Sequence, residues 1–170
     1  MRAFSTSTFI VVFLALLSLP ACRKDEVYPP EPVVYFVEYI IYPGDSGLYR
    51  IDFTDGDGDI GVGSEDPAKH LNLEYRYLDT VSGTWKKFVV QVLPDSVPTD
   101  TIPPDTIYME FSYRIPEVEH IGNDKSLRGE INVKIPPPHF ISTHTFKYLC
   151  WIYDRAGHKS NVVESQIVNP

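Results

Sequence analysis

The run Leu71-Asn72-Leu73-Glu74-Tyr75-Arg76-Tyr77 places an apolar side chain at every second position and a polar one between. That period is the mark of a strand with one face on a core and the other in water. Ile131-Asn132-Val133-Lys134-Ile135 repeats it. Outward from these two runs, similar β-branched and aromatic stretches predict strands at Val33–Tyr42, Leu48–Thr54, Leu71–Leu78, Trp85–Leu93, Thr106–Ile115, Glu130–Ile135, Phe146–Tyr153 and Val162–Val168. Clusters of Gly, Pro and Asp separate them, as turns require. No window of useful length keeps a helical period, apart from a turn of helix expected near Ser64–His70. The predicted fold is all-β: an immunoglobulin-like, two-sheet antiparallel sandwich of about 7–8 strands.

Composition agrees with one ordered domain. The chain has 170 residues, 43% apolar and 13% aromatic, with 15 prolines and two cysteines. The prolines argue against a helical bundle, and two cysteines cannot make a disulfide scaffold. With 15 basic and 23 acidic residues the formal charge is −8. Phosphate binding needs a basic patch, so nucleic acid is excluded as a partner.

The first 21 residues read as an address. Arg2 and a Ser/Thr patch precede an apolar run, Phe9–Leu19, far shorter than the roughly 20 residues of a membrane-spanning helix. The run ends in Leu19-Pro20-Ala21-Cys22, which resembles a bacterial lipobox whose cysteine becomes the acylated first residue. Residues 1–21 are then a lipoprotein signal peptide, Cys22 the lipidation site and 22–32 a tether; 33–170 form the sandwich. The partner expected first is the membrane, reached through the lipid on Cys22. Arg23-Lys24-Asp25-Glu26 resembles the surface-export signal of Bacteroidetes lipoproteins, so the expected location is the outer membrane, facing the cell surface or the periplasm. Tyr28-Pro29-Pro30-Glu31-Pro32 reads as a semi-rigid spacer. Removal of residues 1–21 leaves 149 residues with 14 basic and 23 acidic groups, a charge of −9. With Cys22 acylated, Cys150 has no disulfide partner and reads as core packing.

The chemically distinctive stretch is Phe53-Thr54-Asp55-Gly56-Asp57-Gly58-Asp59-Ile60-Gly61. Aspartates at every second position of a tight loop can turn carboxylates toward one centre, and calcium takes six to eight oxygens at roughly 2.3–2.6 Å. Unscreened, those carboxylates would repel each other. Hard oxygen donors with no adjacent thiol or imidazole favour calcium over zinc or copper. The EF-hand pattern fails, because Ile60 stands where that loop needs glycine and strands flank the motif. In a sandwich this loop joins the second and third strands, at the same end as the last hairpin, Asp154-Arg155-Ala156-Gly157-His158-Lys159-Ser160-Asn161. The expected ligands are therefore Asp55, Asp57, Asp59 and Asp154, with Asp52, Glu65, Asp66 and Asn161 as further candidates. Tyr148-Leu149-Cys150 also resembles the tyrosine corner of immunoglobulin-like folds.

The pairing of FTDGDGDIG with YDRAGHKSN resembles a group of Bacteroidetes surface lipoproteins that carry an immunoglobulin-like domain. That resemblance implies surface attachment and a calcium site and brings no activity with it. Asp79-Thr80-Val81, Asp95-Ser96-Val97, Asp100-Thr101-Ile102 and Asp105-Thr106-Ile107 resemble the O-glycosylation acceptor of exported Bacteroidetes proteins, which marks Thr80, Ser96, Thr101 and Thr106. Three of the four fall in or next to Pro94–Asp105, a proline-rich stretch expected to be an exposed loop.

Catalytic signatures are weak. Gly44-Asp45-Ser46-Gly47 reads as a hairpin turn with no histidine before it. The five histidines, His70, His120, His139, His144 and His158, have no metalloprotease spacing. The expected function is a non-enzymatic, lipid-anchored binding or structural module with a calcium-stabilised loop end and an unidentified protein or glycan ligand. The aromatic content motivates carbohydrate binding in a nutrient-uptake system as an alternative. A hydrolase using metal at Asp55, Asp57 and Asp59 is a third reading, which requires an open coordination position in a cleft.

Overall fold

The computed structural model describes residues 28–43, 46–92, 106–118, 125–135 and 144–169. Residues 1–27 with Cys22, Gly44-Asp45, the whole of Pro94–Asp105 with Ser96 and Thr101, His120 and His139 lie outside them. The described elements are β1 (Val33–Tyr42), β2 (Ser46–Asp55), β3 (Leu71–Asp79), β4 (Thr84–Lys87), β5 (Val89–Val92), β6 (Thr106–Tyr108), β7 (Glu110–Tyr113), β8 (Leu127–Ile135), β9 (Phe146–Ile152) and β10 (Val163–Glu164). One sheet has the order β1-β2-β8 and the other β10-β9-β3, with further strands beyond β3; every strand pair is antiparallel. This is the two-sheet strand order of an immunoglobulin-like sandwich.

Among the described residues ten strands replace the expected seven or eight, because two predicted runs are each divided. β4 and β7 occupy the same edge of β3: Arg76–Asp79 pair with β4, and Leu71–Glu74 pair with β7. Between them the chain leaves the edge at Phe88, forms the β5–β6 ribbon and returns at Met109. Met109 closes the gap by donating to the Phe88 carbonyl (2.9 Å) and accepting from the Tyr75 amide (3.2 Å). The helical turn expected at Ser64–His70 does not form. Pro67 offers no amide, and Asp66 folds its own carboxylate onto the Ala68 N–H (2.8 Å) instead.

The inner faces of the two sheets enclose an aromatic core. Tyr49, Ile51 and Phe53 of β2 face Leu71, Leu73 and Tyr75 of β3 and Phe146, Tyr148, Cys150 and Ile152 of β9. Tyr39, Tyr49, Tyr75 and Phe146 surround Tyr148 with ring centroids 5.3–6.1 Å away, mostly edge to face. Tyr148 is therefore a core residue; its hydroxyl makes no backbone hydrogen bond, and the tyrosine-corner expectation fails. Cys150 is buried, and its apolar surroundings push the thiol up to about 12, in keeping with packing.

The segment after the last hairpin ties the sheets together through a repeated pair of residues. Ser160 and Ser165 both turn toward β9: their hydroxyls accept from the Ile152 and Tyr148 amides (3.0 and 2.9 Å), and their amides donate to the same residues' carbonyls. The next residue in each pair turns toward β1. Asn161 bonds both the N–H and the carbonyl of Val34, and Gln166 does the same for Tyr39. A side-chain amide thus substitutes for a neighbouring strand along the β1 edge. Ser165 is buried, whereas Gln166 is exposed. Ser165→Ala strands the Tyr148 amide away from water and should lower unfolding free energy by about 1–3 kcal/mol; Gln166→Ala, which water can replace, should cost about 1 kcal/mol or less. Urea unfolding of both variants checks the order, and a larger loss for Gln166→Ala would contradict it.

Candidate metal site

Two inward-facing rows end in an aspartate at the same end of the sandwich. On β2 the row Tyr49, Ile51, Phe53 continues to Asp55, and on β9 the row Phe146, Tyr148, Cys150, Ile152 continues to Asp154. Period-two geometry therefore carries both carboxylates into the interior. Asp55 is 0% exposed and Asp154 is 1% exposed. The loop after Asp55 doubles back and delivers Asp59, so that one carboxylate oxygen each from Asp55, Asp59 and Asp154 lies within 4.8 Å of the others. Gly58 and Gly61, with φ of 70° and 85°, supply the left-handed backbone that this doubling needs.

The last hairpin supplies donors to two of the three. Asp154 Oδ1 accepts from the His158 amide (2.7 Å), and Oδ2 pairs with His158 Nδ1 (2.8 Å). Asp59 Oδ2 accepts from the Ala156 amide (3.0 Å). Both oxygens of Asp55 and Oδ1 of Asp59 are buried with no hydrogen-bond partner. The Arg155 guanidinium is held by Glu117 (2.6 Å) and the Gly61 carbonyl, and its charge offsets part of the rise at Asp59.

The electrostatics follow from that imbalance. Burial, and then the charges of Asp57 and Asp59, push the Asp55 carboxyl up to about 6; the amides of Asp59 and Ile60 offset part of the rise without reaching hydrogen-bonding geometry. Burial, Asp154 and Asp57 raise Asp59 in the same direction. The hydrogen bond and charge of Asp154 raise His158. A buried carboxylate with no donor is costly unless it is protonated or meets a cation. The donor set is all hard oxygen, which suits calcium.

Of the four expected ligands the structure brings Asp55, Asp59 and Asp154 together. Asp57 is exposed and stands outside the cluster, acting on it through its charge alone. The further candidates are elsewhere: Asp52 faces solvent on β2, Glu65 and Asp66 sit in an exposed turn, and Asn161 holds β1. His70 and His144 are also outside the cluster, the latter packed on Tyr77. Sequence reasoning missed two participants. His158 is Asp154's partner, and an i, i+4 pair across a turn was the available signal. The segment from Tyr28 is no free spacer at this end, since the Pro29 carbonyl accepts from the Gly56 amide (2.8 Å) inside the acidic loop.

Two pockets open elsewhere. One of about 550 Å³ lies between β7 and β8, lined among others by Leu71, Tyr113, Ile115 and Val133. The other, of about 340 Å³, is lined by Tyr28, Tyr35, Asp52, Phe53, Thr54, Arg128, Gly129 and Glu130. Neither is lined by Asp55, Asp59 or Asp154. Among the described residues no helix is long and apolar enough to cross a membrane. Comparison with protein-family models, curated proteins and solved structures finds no match for the chain.

The Asp55 shift has a definite sign in the metal-free protein. Its carboxyl holds a proton up to about 6 when folded, against 3.8 as the ordinary value. Within that window the folded state binds more protons, so stability falls as pH rises and stays low above it. In EDTA, wild type should lose about 1–2 kcal/mol more than Asp55→Asn between pH 5 and pH 7.5. Parallel denaturant titrations of the two proteins check this, and identical pH profiles would contradict it.

Proposed function

We propose that this chain is a lipid-anchored, surface-exposed binding module, non-enzymatic, whose loop end is stabilised by a calcium ion held by Asp55, Asp59 and Asp154. The observation that carries the metal part is Asp55: a fully buried carboxylate without a donor, within reach of two others. Calcium would complete its shell with backbone carbonyls and water, and its contribution is rigidity. A structural role is favoured over hydrolysis because Asp55 and Asp154 are buried, which suits a closed site better than an open coordination position. Attachment to the outer membrane through lipid on Cys22, in the manner of Bacteroidetes surface lipoproteins, rests on the residues around that cysteine. Thr80, in the exposed β3–β4 turn, is sterically open to glycosylation.

Calcium at a hundredfold excess over its Kd should stabilise the protein by about 2.7 kcal/mol, which is about 5–10 °C in Tm at this size. Asp55→Asn and Asp154→Asn should each abolish that shift, and Cys22→Ser should leave it intact while releasing the protein from the membrane fraction. Differential scanning calorimetry and cell fractionation read the two parts separately. A wild-type Tm indifferent to calcium ends the metal reading, and a Cys22→Ser protein that stays membrane-bound ends the anchor reading.

A second reading, carbohydrate binding, is favoured by the 340 Å³ pocket beside the acidic loop. Most aromatic residues are core, but Tyr35 is 55% exposed and shares this pocket with Tyr28, Asp52, Thr54, Arg128 and Glu130. Aromatic faces flanked by planar hydrogen-bonding groups of both signs suit a neutral polyhydroxyl ring. Retention on an array of neutral oligosaccharides, lost in Tyr35→Ala, is the expected result; no retention by the wild type would remove this reading.

A further inference from the structure

The chain enters the sandwich across the metal end, and it is gripped there from both sides. β1 begins opposite the end of β2, with Val33 paired to Thr54, so residues 28–32 approach the domain where Asp55 lies. On one side the Gly56 amide, directly after Asp55, donates to the Pro29 carbonyl (2.8 Å). The fit is close: a Cβ on Gly56 would lie 2.3 Å from the Tyr28 carbonyl oxygen and 2.6 Å from that of Pro29. Those are backbone atoms, which cannot swing aside as a side chain can. On the other side Asn161, at the foot of the hairpin that carries Asp154 and His158, holds both backbone polar groups of Val34.

Gly56 therefore belongs to two structures at once. Its amide is fixed by the position of Asp55, and it is the donor that fixes Pro29. Without a cation, three carboxylates within 4.8 Å repel one another, and the loop carrying Asp55 and Asp59 has reason to spread. Spreading moves the Gly56 amide and frees the segment. We propose that segment Tyr28–Pro32 and the cation site are coupled through Gly56, so that filling the site locks the segment onto the domain and the docked segment tightens the site. Linkage makes the two effects equal in size. The cation then decides whether residues 28–32 are held against the domain or leave it. Gly56 acts as a positioning residue for a site it does not ligate. This inference rests on the cation reading above and adds a second site to it.

The test uses the full chain in detergent micelles and calcium alone. Hydrogen exchange of the Gly56 amide, read by NMR, reports the Pro29 contact directly and should slow about tenfold or more when calcium is added. By calorimetry, Gly56→Ala should weaken calcium binding about tenfold, a typical coupling factor. A second variant, Pro29→Gly with Pro30→Gly, keeps the carbonyl and introduces no clash; it should also weaken calcium binding while leaving Tm in EDTA unchanged. Calcium binding of wild-type strength in the Pro29→Gly/Pro30→Gly variant, with Gly56 exchange unaffected by calcium, overturns the coupling and leaves the cation site standing. Wild type that binds no calcium overturns both.

Discussion

One carboxylate sets the terms for the whole loop end. Asp55 sits at the last inward position of β2, and burial is imposed on it by the register that buries Tyr49, Ile51 and Phe53. A one-residue slip of β2 would free Asp55, but it would also turn that aromatic row into water. The core therefore holds the charge in place. With no donor on either oxygen, the fold has two ways to relieve it: a proton, which binds only up to about pH 6, or a cation. Every neighbouring device is consistent with the second. The doubled-back loop delivers Asp59, β9 leads into Asp154, and the Arg155 guanidinium pairs with Glu117, not with a carboxylate of the cluster.

The same end depends on how the sheets are joined. β10 is only two residues long, too short to hold the sandwich by ladder bonds alone. The Ser160-Asn161 and Ser165-Gln166 pairs do that work with side chains, serine to β9 and amide to β1. Because Asn161 closes the hairpin bearing Asp154, the pair nearest the metal end fixes β1, β9 and the site hairpin relative to each other. The serine hydroxyls lie in the interior and the amides at its margin, so the contacts to β9 are the more consequential half.

Much of this was legible in the residues. The alternation in Leu71–Tyr77 and Ile131–Ile135 yields β3 and β8, and each of the eight predicted runs overlaps at least one strand. The breaks at Phe88 and Met109 were not legible, because they arise from two strands sharing the edge of β3, a tertiary fact. Asp55 and Asp154 were readable twice over, as loop acids and as the next inward positions of two strands. Spacing alone included Asp57, but β2 ends at Asp55 and the bend at Gly56-Asp57 leaves Asp57 exposed. Tyr148 had the offset of a corner tyrosine, yet the inward row of β9 claims it for the core. The docking of Tyr28–Pro29 leaves no sequence signal beyond Gly56, since it joins backbone to backbone and could be made by many side chains.

The arrangement also separates two roles that a sequence reading tends to merge. Acidic clusters invite the idea of a binding face, but here the carboxylates are interior and their loop carries the incoming chain on its outer side. A partner cannot readily reach Asp55 or Asp154 where Tyr28–Pro32 crosses. The pocket under Tyr35 lies one sheet layer away, on the outer face of β2, where Asp52 and Thr54 alternate with the buried row that ends in Asp55. Successive residues of one strand thus serve opposite faces of the sheet: Thr54 lines an open pocket while Asp55 faces the site. Asp55 and the wall of that pocket are joined by a single peptide bond, so an ion at the buried site would stiffen that wall through the backbone.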